Sequence, residues 1–135
     1  MSFETVTKFE NIVAKFFGSK YAVATDSCTH AIELCLIYKK FNNVSFPRYT
    51  YPAIPMTGIK LKLNWTWQKK NNWKGYYFIE NTNIIDAAVY WKKKSYIKGT
   101  FMCLSFQFQK HINIGKGGMI LTDDAKARDQ LIKMA

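Results

Sequence analysis

Residues 25–30 (Thr-Asp-Ser-Cys-Thr-His) are the first segment of the 135-residue chain that could do chemistry. They lie between a predicted strand and a predicted helix. The first turn of a helix carries backbone N–H groups without helical acceptors and a partial positive charge, which together suit a phosphate group. Ser27 and Thr29 would add hydroxyl donors. The same residues could instead be an ordinary helix cap, which most helices need, so both interpretations stay open.

Asp86 is the second candidate, because it ends the apolar run Ile84-Ile85 and small residues follow it. Ligands of α/β proteins bind beyond the carboxyl ends of strands. A carboxylate at that point could pair with a cationic nitrogen of a ligand. An aspartate that caps a helix or a turn would fit the same pattern.

Lys110 is the third candidate, at the end of residues 105–110 (Ser-Phe-Gln-Phe-Gln-Lys) and before a glycine-rich run at 115–118. A lysine amine becomes nucleophilic when burial or nearby cations lower its pKa. The alternative is a solvated surface lysine, which is the usual state of lysine in so basic a chain.

Hydrophobic periodicity predicts the elements that must position these residues. Helices are predicted over residues 2–17, from the 25–30 turn to Asn42-Asn43, and over 123–134 with Asp123 or Thr122 as the cap. Strands are predicted at 21–24, 44–46, 76–79, 84–86, 101–105 and 118–121. Pro52 and Pro55 allow only a short or broken helix within 48–60, and residues 60–75 have no clear pattern. The interleaving of predicted helices and strands indicates one α/β domain over residues 1–135, with flanking helices on a mostly parallel sheet.

The charge of the chain favours anionic partners. Lysine and arginine exceed aspartate and glutamate by 20 to 9, a formal net charge of +11. Such a surface attracts nucleic acid, a phosphorylated cofactor or a nucleotide-linked substrate. The sequence contains none of the recognised nucleic-acid-binding motifs, so a nucleic-acid role ranks last.

Cysteine usage and hydropathy indicate a soluble, cytoplasmic protein. The three cysteines are odd in number and form no Cys-x-x-Cys pair, which indicates reduced thiols rather than disulfides, and no metal site is predicted. No apolar run approaches the roughly 20 residues of a membrane helix. The first residues lack the apolar core of a signal peptide, so no membrane partner is expected.

Four segments, in this order, resemble one family. They are residues 16–31 (Phe-Phe-Gly-Ser-Lys-Tyr-Ala-Val-Ala-Thr-Asp-Ser-Cys-Thr-His-Ala), 84–88 (Ile-Ile-Asp-Ala-Ala), 105–110, and 115–124 (Gly-Lys-Gly-Gly-Met-Ile-Leu-Thr-Asp-Asp). They are similar to the motifs of the DegT/DnrJ/EryC1/StrS sugar aminotransferases, which are fold type I enzymes that use pyridoxal 5'-phosphate (PLP). The resemblance runs from about Phe9 to the C-terminus, with a gap in the middle.

The resemblance implies a role for each matching residue. Lys110 would form a Schiff base with PLP and move protons during transamination. Asp86 would keep the pyridine nitrogen protonated, which makes the ring a better electron sink. The remaining cofactor-binding positions implied are Ser27, Cys28, Thr29 and Ser105 at the phosphate, Tyr51 stacked on the ring, and Gln107 in place of a family histidine. Tyr51 could instead be an ordinary core aromatic.

The chain departs from the family pattern in three residues, Cys28, Val89 and Gln107, and in length. Cys28 stands where the family has glycine, so its Cβ is added close to the expected phosphate. Val89 stands where the family usually has glutamine or histidine. The chain lacks room for the usual strand–helix–strand between Lys60 and Ile84, and for the small C-terminal domain. We therefore expect either a minimal version of the fold type I large domain or a fragment of it, and the internal shortening favours the minimal version.

The resemblance also implies an activity and a partner. The expected enzyme is an aminotransferase that moves an amino group from a donor such as glutamate to a keto acceptor, either a keto-sugar nucleotide or a small keto acid. Sites of fold type I lie near a subunit interface, so a homodimer is expected. The alternative function is a PLP-binding protein with little or no transaminase activity.

Overall fold

The computed structural model describes residues 3–70, 73–106 and 116–135. Helices and strands alternate in the first half and strands dominate later. In chain order they are α1 (Phe3–Phe17), β1 (Tyr21–Thr25), α2 (Cys28–Lys39), β2 (Asn43–Phe46), α3 (Ala53–Lys60), β3 (Asn64–Trp67), β4 (Tyr77–Phe78), β5 (Ile84–Asp86), β6 (Phe101–Ser105), β7 (Gly118–Thr122) and α4 (Ala125–Met134). The α/β class with flanking helices is confirmed.

The main sheet has the strand order β1-β7-β6-β5-β4 and is mixed, so the prediction of a mostly parallel sheet is wrong. Of its four strand pairs, β5–β6 is parallel and the other three are antiparallel. A parallel pair needs a connection of about a dozen residues or more. Residues 87–100 provide one between β5 and β6, whereas only residues 79–83 separate β4 from β5.

A second, two-stranded sheet pairs β2 with β3 in parallel. Strand β3 lies in the 60–75 stretch that had no clear sequence pattern. Gln68 links this sheet to β4, since its side-chain amide donates to the carbonyls of Ser45 (3.1 Å) and Phe78 (2.9 Å). Gln68 is only 4% exposed.

Two hydrophobic clusters cover the two faces of the main sheet. One contains residues of α2, α4 and the sheet, among them Ile32, Leu131 and Cys103. The other contains residues of α1 together with Met102 and Leu104. Neighbouring residues of β6 therefore enter opposite clusters, as strand geometry requires. Strands β6 and β7 are buried along their whole length and form the centre of the main sheet.

Helix boundaries follow local rules with one correction. Gly18 ends α1 with φ +88°, a conformation that glycine adopts without strain, and its N–H donates to the Ala14 carbonyl. Helix α4 is capped by Asp124, which accepts from the Ala127 N–H, and not by Asp123 or Thr122 as predicted. Asp123 instead accepts from the Lys20 N–H. Within the described residues, the helices are too short or too polar to cross a membrane.

Candidate active site

The predicted site residues meet at one edge of the main sheet. Strands β5 and β6 are parallel, so Asp86 and Ser105 end at the same edge. Strand β7 runs antiparallel to both β6 and β1, which brings Gly118 and Thr25 to that edge as well. Because α2 begins just after β1, its first turn lies there too. This is the place where ligands of α/β proteins bind.

Asp86 is a buried carboxylate, only 8% exposed, whose two oxygens are both hydrogen-bonded. Oδ1 accepts from the Ala88 N–H at 3.0 Å and lies 3.8 Å from the Cys28 thiol. Oδ2 accepts from the Tyr77 hydroxyl at 2.6 Å. Hydrogen bonds of this kind favour the ionised form and fix its orientation. The arrangement suits an anion that meets a cationic ligand atom.

Tyr77 was not among the residues predicted to form the site. Burial raises its pKa well above the usual range, and the charge of Asp86 and the hydrogen bond to it act in the same direction. The phenol therefore remains a neutral donor at physiological pH. Its oxygen lies 2.7 Å from the Thr50 hydroxyl. Tyr77 belongs to a predicted strand, but no local sequence signal puts it opposite Asp86.

The first turn of α2 is built as a helix cap. Ser27 has extended backbone angles, and its hydroxyl oxygen accepts from the His30 N–H at 3.0 Å. Thr25 donates its hydroxyl to the Ser27 carbonyl at 2.9 Å. Capping uses the oxygen of Ser27 and leaves its hydroxyl hydrogen able to donate. The capping interpretation of Ser27 is therefore correct and compatible with an anion at the same turn. Thr29 lies half-buried in this turn.

Gly118 fixes the position of that turn against the sheet. A Cβ on Gly118 would lie 2.4 Å from the carbonyl carbon of Ser27 and 2.6 Å from the nitrogen of Cys28. The start of β7 thus touches the Ser27–Cys28 peptide directly, where only glycine fits. The preceding Gly117 has φ +121°. The sequence shows the glycine-rich run, but it does not show that Gly118 contacts the Ser27–Cys28 peptide.

The Cys28 thiol is directed into the protein. Its sulfur lies 3.5 Å from the Cys103 carbonyl oxygen, and the residue is 7% exposed. The Cβ that distinguishes Cys28 from glycine is thus accommodated between α2 and the sheet. Cys28, Cys35 and Cys103 are all buried free thiols. Burial, with the neighbouring Cys35 thiol, raises the pKa of Cys103, which keeps it protonated.

A pocket of about 400 Å³ opens beside Asp86. Half of its lining residues are aromatic, and it is lined by Tyr49, Thr50, Tyr51, Trp73, Tyr77, Asp86, Ala88 and Val89. Tyr51 is 66% exposed, so the alternative of a core aromatic is wrong. Val89 brings an apolar side chain to this wall. A flat ring could fit here with its edge near a carboxylate.

The structure brings six of the eight predicted site residues to this edge: Ser27, Cys28, Thr29, Tyr51, Asp86 and Ser105. Ser105 ends β6 opposite Gly118 and is 1% exposed. Lys110 and Gln107 lie outside the described residues. Tyr77, Thr50 and Trp73 are the site residues that sequence reasoning missed, whereas Gly118 belongs to the glycine-rich run that it singled out.

The sequence matches the model of the DegT/DnrJ/EryC1/StrS aminotransferase family over residues 1–57 and 75–135. The unmatched stretch contains β3 and Gln68. Comparison with curated proteins gives no match.

The fold is similar to that of solved aminotransferase structures. DesI, solved in the presence of its TDP-sugar product, superposes with a TM-score of 0.76 at 20% identity over 97% of this chain and 44% of its own. For a putative PLP-dependent aminotransferase from Bacillus cereus the TM-score is 0.76 at 15% identity, and the match covers 96% of this chain and 48% of that protein. For a DegT DnrJ EryC1 StrS aminotransferase from Brucella abortus the TM-score is 0.75 at 16% identity, and the match covers 93% of this chain and 48% of that protein. The chain spans less than half the length of these proteins.

Proposed function

The chain belongs to the DegT/DnrJ/EryC1/StrS aminotransferase family, and on that premise we propose that it is a PLP-dependent aminotransferase. It would transfer an amino group from an amino acid such as glutamate to a keto acceptor, either a keto-sugar nucleotide or a small keto acid. The observation that carries the proposal is the buried, hydrogen-bonded Asp86 beside an aromatic pocket and the first turn of α2.

The charge and the hydrogen-bond donors of the described residues are compatible with PLP. The ring needs an anion at its nitrogen, and Asp86 supplies one at the pocket wall. The phosphate needs N–H and hydroxyl donors, for which we propose the first turn of α2 with Ser27, Cys28, Thr29 and, from β6, Ser105. Two residues keep roles that rest on the resemblance alone: Lys110 as the covalent attachment point, and Gln107 as a further cofactor contact.

The protein's part in the chemistry is to bind, orient and hold protons. When bound, PLP supplies an electron sink for the carbanion at the substrate carbon. Asp86 would hold a proton on the ring nitrogen, because a buried anion with fixed orientation stabilises the opposite charge next to it. Tyr51 would cover one face of the ring. We propose the Lys110 amine as the base that moves the substrate proton.

We propose that the active form is a homodimer of this chain. Large aromatic side chains remain exposed around the pocket, among them Tyr49 at 88% and Trp73 at 55%. Grouped exposed apolar residues of this kind are typical of interaction surfaces. Light scattering of the PLP-loaded protein tests this, and a stable PLP-bound monomer would contradict it.

A second candidate function is PLP binding with little or no turnover. Val89 favours it, since an apolar side chain lines the pocket beside Asp86 where the family usually has glutamine or histidine. Addition of amino donors to the PLP-loaded protein separates the two functions. A change of the visible absorbance to that of the amino form of the cofactor supports transamination, whereas an unchanged spectrum supports binding alone.

The decisive experiment compares the wild-type protein with Lys110→Ala after incubation with PLP. We expect a visible absorbance band and, after borohydride reduction, a PLP mass adduct on the peptide that contains Lys110. Both should be lost in Lys110→Ala and kept in Lys116→Ala, a matched change at an exposed lysine nearby. An adduct that persists in Lys110→Ala would refute the assigned attachment point.

A further inference from the structure

We propose that Tyr77 is a positioning residue for the cofactor site, and that its hydroxyl, oriented by Thr50, holds the Asp86 carboxylate in the direction that PLP requires. The inference rests on the proposed function. It adds two residues to the site that the sequence did not indicate.

The direction of the hydrogen bonds follows from their chemistry. An ionised carboxylate can only accept, so the single hydrogen of the Tyr77 hydroxyl is donated to Asp86 Oδ2, at 2.6 Å. The phenol oxygen then accepts from the Thr50 hydroxyl, at 2.7 Å. The result is a directed chain from Thr50 to Tyr77 to Asp86.

This chain of hydrogen bonds joins three separate segments of the fold. Thr50 lies between β2 and α3, Tyr77 begins β4, and Asp86 ends β5. Tyr77 and Asp86 are direct partners in the β4–β5 register. All three side chains line the same pocket, so the hydrogen-bond chain ends where the ligand would enter.

The Tyr77 contact and a ligand contact can coexist on Asp86. Each carboxylate oxygen can accept two hydrogen bonds. Tyr77 donates to Oδ2, whereas the Ala88 N–H and the Cys28 thiol lie at Oδ1. Contacts at both oxygens keep the carboxylate from rotating, so it would present one fixed orientation to a cationic ring nitrogen in the pocket. Loss of the Tyr77 hydroxyl therefore should weaken binding of the ring without removing its charged partner.

The test is the dissociation constant of PLP, measured by visible absorbance for the full chain. Loss of one hydrogen bond to a charged group predicts about a 10-fold weaker affinity for Tyr77→Phe and a smaller loss, about 3-fold, for Thr50→Val. Tyr76→Phe is the matched control. The PLP affinity of this variant should be unchanged, because the Tyr76 ring packs on Tyr90. In an Asp86→Ala background, Tyr77→Phe should cause no further loss.

Each outcome decides a different point. Wild-type affinity in both Tyr77→Phe and Thr50→Val would overturn the inference and leave the proposed function intact. An equal loss with and without Asp86 would show that Tyr77 acts on the fold and not through the carboxylate, and would also overturn it. A wild-type protein that binds no PLP would refute the proposed function and the inference together. If Tyr77→Phe does not fold, the test rests on Thr50→Val alone. A loss of PLP affinity in Thr50→Val would then support the inference, and wild-type affinity would overturn it.

Discussion

Gly118 on β7 and Ser27 before α2 are in backbone contact: a Cβ at residue 118 would lie 2.4 Å from the Ser27 carbonyl carbon. No side-chain rotation relieves such a contact, because the obstructing atoms belong to the main chain. The sheet thereby sets the position of the helix turn that we propose for phosphate binding.

Gly118→Ala should therefore reduce both stability and PLP affinity. The backbone shift is expected to cost about 1–3 kcal/mol of the free energy of unfolding. Urea denaturation and PLP titration measure the two effects. Gly99→Ala is the control, since its Cβ meets nothing within 4 Å and only its φ of +83° is strained; it should lose stability but no affinity. A Gly118→Ala protein with wild-type stability and affinity would contradict the assignment.

Cys28→Ala should leave PLP affinity nearly unchanged. The thiol lies against the Cys103 carbonyl and Asp86, inside the protein, and its removal leaves the backbone of the turn in place. We expect a loss of stability of about 1 kcal/mol from the small cavity. PLP titration with thermal unfolding measures both. A large loss of affinity at full stability would show instead that the thiol itself contacts the cofactor.

Glu10→Gln should stabilise the protein at neutral pH. Burial raises the pKa of Glu10, while the Ala24 N–H (2.7 Å) and Arg128 oppose the shift only in part. Between its ordinary and its raised pKa the folded state binds more protons than the unfolded state, so stability falls as pH rises through that window. Glutamine keeps the acceptor oxygen and removes the charge.

The measurement is the melting temperature from pH 4 to 7 for wild type, Glu10→Gln and the exposed control Glu4→Gln. The advantage of Glu10→Gln should grow with rising pH, whereas Glu4→Gln should show no such trend. A Glu10→Gln protein less stable than wild type at pH 7 would mean that the charged carboxylate stabilises α1 against β1.

Gln68→Leu should destabilise the protein, although the residue lies in the stretch that the family model does not match. Its buried amide joins the Ser45 and Phe78 carbonyls, and leaving buried acceptors without donors costs about 1–3 kcal/mol. Lys69→Ala, an exposed neighbour, should change stability by less than about 0.5 kcal/mol. Urea denaturation compares them; equal stability of the two variants would show that the β2–β3 sheet is not tied to β4 through Gln68.

Local pattern was sufficient to predict most elements and several candidate residues. The apolar spacing before Gly18 predicts α1, and the runs around Ile84 and Met102 predict β5 and β6. Short-range chemistry decides such features, because a helix or a strand is recognised from residues close together in sequence. For the same reason the sequence alone singles out Asp86 and Ser27, whose neighbours along the chain mark a strand end and a helix start.

Tertiary structure alone decided what those residues touch. The mixed direction of the sheet, the β4–β5 register that sets Tyr77 on Asp86, and the contact between Gly118 and Ser27 all join residues distant in sequence or in different strands. Strand direction depends on how each connection crosses the sheet, and register depends on which faces are buried together. These are properties of the packed chain, so the sequence determined which groups are available at the site, and the tertiary structure determined which of them meet.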